Sequence, residues 1–167
     1  MYNKTLMTDF YELTMAQTYF NEGKKEEQVY FDIFFRKNPF EGGYTISGGL
    51  DETINYIKSF YFGKEELDYL RKLGKFNEDF LNYLSTLKFE GDIYAVPDGT
   101  VVFPNEPVLT VKADAVTAQI LETALLANFN HGSLVTTAAK RITNEAKGIP
   151  VMEFGARRAR GIDSAIE

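Results

Sequence analysis

Residues 115–147 frame the rest of the chain, because no longer segment carries apolar side chains at helical spacing. Ile120, Leu121, Ala124 and Leu125 start the stripe, and Leu134, Ala138 and Ile142 continue it. Asn130-His131-Gly132-Ser133 predicts a break or bend, with Ser133 able to cap the second half. Gly148-Ile149-Pro150 then punctuates the chain before Val151-Met152-Glu153-Phe154-Gly155-Ala156-Arg157-Arg158-Ala159-Arg160-Gly161. Mixed elements, then a long helix, then a strand form the pattern of an α/β sheet or barrel whose first unit opens at about residue 150.

Upstream, Leu13, Met15, Ala16, Tyr19 and Phe20 follow the N-cap candidates Thr8-Asp9, which predicts a helix over 8–22 ended by Gly23. Residues 28–36 are nearly continuously apolar or aromatic, the texture of a well-covered strand. Asn38-Pro39-Phe40-Glu41-Gly42-Gly43 is loop chemistry, 44–47 a short strand, and 50–60 a helix. Two amphipathic helices are predicted over 64–73 and 77–87, burying Leu67, Leu70 and Leu73 on one and Phe80, Leu81 and Leu84 on the other. From 89 to 112, short strand-like runs alternate with Pro97-Asp98-Gly99 and Pro104-Asn105-Glu106-Pro107, which predicts a small β-subdomain.

The arginine-bearing run has its own chemistry. Guanidinium groups present planar forks of donors that match phosphate or carboxylate, and glycine lets a ligand approach the backbone. If 151–158 is a strand, Glu153, Gly155 and Arg157 share a face and Met152, Phe154 and Arg158 share the other. A solvated basic loop explains the same residues equally well. The formal charge of −6 argues against a nucleic-acid surface, which needs clustered cations. Lys140, Arg141, Lys147, Arg157, Arg158 and Arg160 do crowd the C-terminal end, and this suits a small anionic ligand such as a phosphorylated substrate.

Zero cysteines exclude disulfides, thiolate metal sites and a cysteine nucleophile. A single histidine leaves no metal-ligand spacing, so any metal would arrive with phosphates as magnesium. No apolar run is long enough to span a membrane, and the expectation is a cytoplasmic protein with neither membrane nor nucleic-acid partners. Glu26-Glu27 and Glu65-Glu66 are solvated or dipole-complementing charges.

Thr8-Asp9-Phe10-Tyr11-Glu12-Leu13-Thr14-Met15 and Glu153-Phe154-Gly155-Ala156-Arg157-Arg158-Ala159 together resemble the nicotinate phosphoribosyltransferases. Phe31-Asp32-Ile33-Phe34-Phe35-Arg36, Pro39-Phe40-Glu41-Gly42-Gly43-Tyr44 and Leu121-Glu122-Thr123-Ala124-Leu125-Leu126 are similar to the same family's connecting blocks. The resemblance implies an α/β protein in which 1–149 form an α+β N-terminal sandwich domain and 150–167 open an incomplete phosphoribosyltransferase-type α/β barrel. It implies condensation of nicotinate with 5-phosphoribosyl 1-pyrophosphate to nicotinate mononucleotide and pyrophosphate, coupled to ATP and Mg2+, in NAD synthesis. A homodimer with shared active sites is also implied. Tyr11 is expected to contact the nicotinate ring beside Asp9, and Arg157 and Arg158 to hold the nicotinate carboxylate or the phosphates. The family's phosphorylated histidine would lie beyond Glu167, and His131 does not correspond to it. Arg160 and Ile162 depart from the family pattern, so Arg160 is left without a role. On this view the chain alone is inactive.

Rival readings remain. A sister phosphoribosyltransferase could use quinolinate or nicotinamide, and carboxylate recognition separates them. Residues 91–112 have the outline of a biotinyl or lipoyl carrier, but no lysine lies between Lys88 and Lys112 to carry the group. The chain could also be a non-catalytic fragment. Its last residues, from Asp163, look like the start of a further helix.

Overall fold

The computed structural model describes residues 3–159. Helix α1 (Phe10–Asn21) leads into strand β1 (Gln28–Phe34), a short 3-10 turn at Pro39–Glu41 and strand β2 (Thr45–Ile46). Helices α2 (Leu50–Lys58), α3 (Lys64–Leu73) and α4 (Glu78–Leu84) follow. Strands β3 (Asp92–Ala95), β4 (Val101–Val102) and β5 (Pro107–Asp114) then run directly into α5 (Ala115–Glu145). Both helix and strand are present, as the α/β expectation requires.

The strands form two antiparallel sheets, one in the order β1-β5-β3 and one pairing β2 with β4. This corrects the expected β-subdomain over 89–112: its strands are shared between the two sheets and pair with β1 and β2 from the first third of the chain. The well-covered strand over 28–36 also needs correction. β1 is an edge strand, and alternate residues face outward, with Tyr30 62% and Phe34 43% exposed. The outer face is stitched by polar pairs at matching register, with Thr110 donating to Asp32 (2.6 Å) and Lys112 paired with Asp92 (3.0 Å). Leu109, Val111 and Ala113 turn the other way, into the core.

α5 is the central beam. It packs against α1, α2, β1, β2 and β5, burying Ile120, Leu121, Ala124, Leu125 and Phe129. The leucine, isoleucine and phenylalanine side chains each contribute about 1.5–3 kcal/mol relative to exposure. Asp114 starts the helix by accepting from the Thr117 N–H (2.9 Å), and the helix runs unbroken through the expected bend at 130–133. Gly132 is there because α5 lies against Gly48 and Gly49: a Cβ at 132 would sit 2.6 Å from the Gly49 nitrogen. Ser133 is likewise no cap. It accepts from the Gly48 N–H (3.1 Å), and one turn later Thr137 accepts from the Ile46 N–H (2.9 Å), so two α5 hydroxyls satisfy backbone donors of β2 and of the turn after it. α3 and α4 occupy their expected places, although α4 ends at Leu84 and Leu73 is exposed.

Candidate functional site at the start of α1

Helix α1 follows from its sequence: Leu13 and Ala16 face the core, with Tyr19 and Phe20 packed beside it. Asp9 sits at the N-cap position without a side-chain cap bond, and its N–H donates to Thr123 Oγ1 on α5 (3.1 Å). That bond anchors the first turn and leaves Tyr11 half exposed at 50%. The residue that sequence reasoning missed is Glu12, which is fully buried. The Gln119 amide donates to it, and Thr123 Oγ1 donates to its other oxygen at 3.5 Å. The same Gln119 amide reaches Glu122 (3.3 Å). The missed signal was a carboxylate at 12 on the same helix face as Leu13 and Ala16, where the apolar stripe should exclude charge.

The acids act on their neighbours. Burial, and then the charge of Glu12, raises Glu122 above the usual carboxylate range. The Tyr11 phenol is pushed up to about 12, chiefly by hydrogen bonding to the Glu12 carboxylate and then by desolvation. Glu122 also lines an apolar groove of about 350 Å³ between β1 and α5, walled by Phe31, Ile33, Phe34, Leu125 and Leu126. Aromatic and apolar walls with a few placed polar groups are the usual lining of small-molecule sites.

Arg157 and Arg158 occupy a different place. The expected strand over 151–158 is absent: none of these residues pairs with a strand among the described residues, and Ala156–Arg158 is a 3-10 turn. The face assignment that favoured Arg157 therefore does not apply. A strand needs a neighbour to satisfy its backbone, and 151–155 pair with neither sheet. Both arginines are exposed, and Arg157 donates to the Phe154 carbonyl (2.8 Å) within its own turn. No hydrogen bond or ion pair joins them to Asp9 or Tyr11 among the described residues. Arg160 lies outside the described residues, as does the helix expected from Asp163.

Arg141, counted among the C-terminal cations, is committed elsewhere. Its guanidinium lies over the rings of Phe40 (5.3 Å) and Tyr44 (5.8 Å) and donates to the Pro39 carbonyl (3.2 Å). Phe40 and Glu41 both take left-handed backbone conformations (φ 57° and 52°), and such strain persists only where surroundings enforce it. His131 lies within α5 and is half buried. No group of three or more His, Cys, Asp or Glu among the described residues could hold a metal ion, and no helix there is long and apolar enough to cross a membrane.

Comparison with known proteins places this geometry. Residues 6–130 match the family model of the nicotinate phosphoribosyltransferase N-terminal domain. A nicotinate phosphoribosyltransferase of Mycobacterium tuberculosis is 43% identical over 160 residues, covering 96% of this chain and 34% of its own. The Bacillus subtilis nicotinate phosphoribosyltransferase is 41% identical, covering 97% of this chain and 33% of its own. The crystal structure of human nicotinic acid phosphoribosyltransferase superposes with a TM-score of 0.85 at 32% identity, over 96% of this chain and 33% of that one. The chain thus spans about a third of the length of the relatives it matches. Its fold and its match to the N-terminal domain show that it belongs to the nicotinate phosphoribosyltransferase family.

Proposed function

We propose that the chain supplies the N-terminal part of an enzyme that condenses nicotinate with 5-phosphoribosyl 1-pyrophosphate to nicotinate mononucleotide and pyrophosphate, for NAD synthesis. In this reading 1–149 are the N-terminal domain and 150–167 open the catalytic α/β barrel, while ATP coupling, dimerisation with shared sites and a cytoplasmic setting complete the picture. The observation that carries it is Tyr11: an aromatic ring half exposed at a helix start fixed to α5, available to stack on a pyridine. Asp9 lies two residues before it, and Arg157 and Arg158 are exposed cations free to meet carboxylate or phosphate oxygens.

Displacing pyrophosphate from the ribose separates charge between an oxocarbenium-like sugar and a polyanionic leaving group. Fixed cations aimed at the leaving charge lower that barrier. The described residues offer magnesium no ligand cluster, so no step is assigned to a metal bound by this part of the molecule.

The test is a chimera in which this chain replaces the corresponding third of the Bacillus subtilis relative, assayed for nicotinate mononucleotide. Turnover with nicotinate but not nicotinamide is expected. Arg157→Ala should lower turnover by about two orders of magnitude, as the loss of one charge-stabilising contact does. Its melting temperature should stay unchanged, since among the described residues Arg157 bonds only within its own turn. Wild-type turnover in that variant would remove the arginine from the site. Quinolinate, the substrate of the rival reading, is the competing substrate to include.

A further inference from the structure

The strained segment 39–44 closes on α5 at Arg141, and the proposed function gives it no task. Its base is fixed: Thr45 Oγ1 donates to Asn38 Oδ1 (3.1 Å), and the Ile46 N–H donates to Thr137 on α5. Between those anchors the chain wraps a guanidinium. Arg141 donates to the Pro39 carbonyl, lies over the Phe40 and Tyr44 rings, and rests so close to Gly42 that a Cβ there would collide with its Nη2. The Gly42 N–H donates to the same Pro39 carbonyl (3.1 Å), so the tight turn and the tie to α5 meet at one oxygen. The consecutive left-handed backbones at Phe40 and Glu41 pull against that tie. Strain in two residues on one side, and one neutral hydrogen bond with two ring contacts on the other, are effects of the same size.

We propose that residues 39–44 form a latched lid: Arg141 holds the segment shut against α5, and a phosphate-sized anion that captures the guanidinium releases it. Behind the lid lies a cavity of about 160 Å³, walled by Pro39 of the lid itself and by Phe35, Lys37, Thr45, Asn130 and Leu134. A lid that swings away therefore widens it, with Gly42 and Gly43 as the flexible residues of the hinge. The latch is of a kind that yields to an anion. Among the described residues no carboxylate pairs with Arg141, the neighbouring Glu41 included, and its hydrogen-bond acceptor is a neutral carbonyl. A guanidinium binds an oxyanion through paired, charge-assisted hydrogen bonds, each roughly twice as strong as a neutral one. Lys37 on the cavity wall and Lys140 beside Arg141, both exposed, add the positive potential that draws an anion to this end of α5.

The experiment follows amide exchange in the full chain by 15N NMR at fixed pH, reading the Gly42 N–H, which is bonded while the turn is shut. Ile46, whose N–H is bonded to Thr137 outside the lid, is the internal reference. Inorganic phosphate, compared with sodium chloride at equal ionic strength, should lower Gly42 protection by roughly tenfold, the equivalent of losing one net hydrogen bond, and leave Ile46 unmoved. Arg141→Met should show the low protection with or without phosphate. Gly42→Ala should do the same at its own amide, because its backbone (φ −87°, ψ 171°) accepts any residue and the added Cβ displaces the guanidinium. Phosphate that leaves wild-type Gly42 unchanged overturns the proposal, and so does an Arg141→Met as well protected as the wild type. Loss of protection at Ile46 together with Gly42 also overturns it, since that is melting of the body and not the opening of a lid. Should Arg141→Met fail to fold, the response of the wild type to phosphate decides alone.

Discussion

At the residue scale, the buried polar groups separate into those with partners and those without. Tyr56 is 7% exposed, yet its hydroxyl finds no hydrogen-bond partner among the described residues, and burial pushes the phenol above its ordinary range. An unpaired buried hydroxyl carries its desolvation cost with no return, so Tyr56→Phe should stabilise the protein by about 1 kcal/mol in urea unfolding at neutral pH. The pH dependence has a definite sign. A phenol whose folded pKa lies above its unfolded value near 10 gives its full contribution below that value, and stability falls as pH rises beyond it. Tyr56→Phe should flatten that alkaline decline. A loss of more than about 1 kcal/mol instead would mean that the hydroxyl is satisfied after all. Glu12 is the opposite case, a buried polar group with partners, which composition could not reveal. Its position on the apolar face was visible in the sequence, but its donors come from residues more than a hundred positions away.

At the element scale, most of the sequence reading survives, and the exceptions share a cause. Helices α1, α3 and α5 and strand β5 sit where periodicity and turn residues place them, because their signals are local. The Asn130–Ser133 stretch was misread as a bend because glycine and serine are breakers only when nothing in three dimensions requires them. Gly132 meets the Gly48-Gly49 backbone and Ser133 bonds to Gly48, contacts no local window contains. This gives a prediction opposite in sign to helix propensity. Gly→Ala in an ordinary helix interior gains about 1 kcal/mol, but Gly132→Ala places a Cβ against backbone that cannot swing aside and should cost about 1–3 kcal/mol net. Urea denaturation decides it, and a stabilised variant would show that α5 and the Gly48-Gly49 turn are not in contact in solution. The sheets were illegible for a related reason: short strands announce themselves, but their partners do not, and 89–112 looked self-contained until β1 and β2 claimed its strands. The arginine pair was legible as chemistry and not as geometry, since a strand exists only where another strand receives its hydrogen bonds.

At the scale of the whole molecule, the described chain divides into a body and an appendage. The body ends with α5, whose buried stripe stops at Thr137, and beyond it side chains turn outward. Ile149, Met152 and Phe154 are 72, 74 and 69% exposed, a density of bare apolar surface that single scattered residues do not produce. Such surface is what a further layer of a longer fold would cover, and the relatives that match this chain are about three times its length. The body should therefore not depend on the appendage. A chain of residues 1–149 is expected to keep its melting temperature within about 4 °C of the full 167, the shift that about 1 kcal/mol produces in a protein of this size. It should also aggregate less on heating, because the exposed apolar run is gone. A drop well beyond that, read by calorimetry, would mean that 150–167 pack into the core and that the boundary at 149 is misplaced. The same truncation removes Arg157 and Arg158 while leaving the Asp9–Thr123–Glu12 contacts whole, so Tyr11, whose phenol is pushed up to about 12, should keep its resistance to ionisation at high pH in the shortened chain. That outcome would place the aromatic half of the site in the body and the cationic half in the appendage, with the ligand reading requiring both.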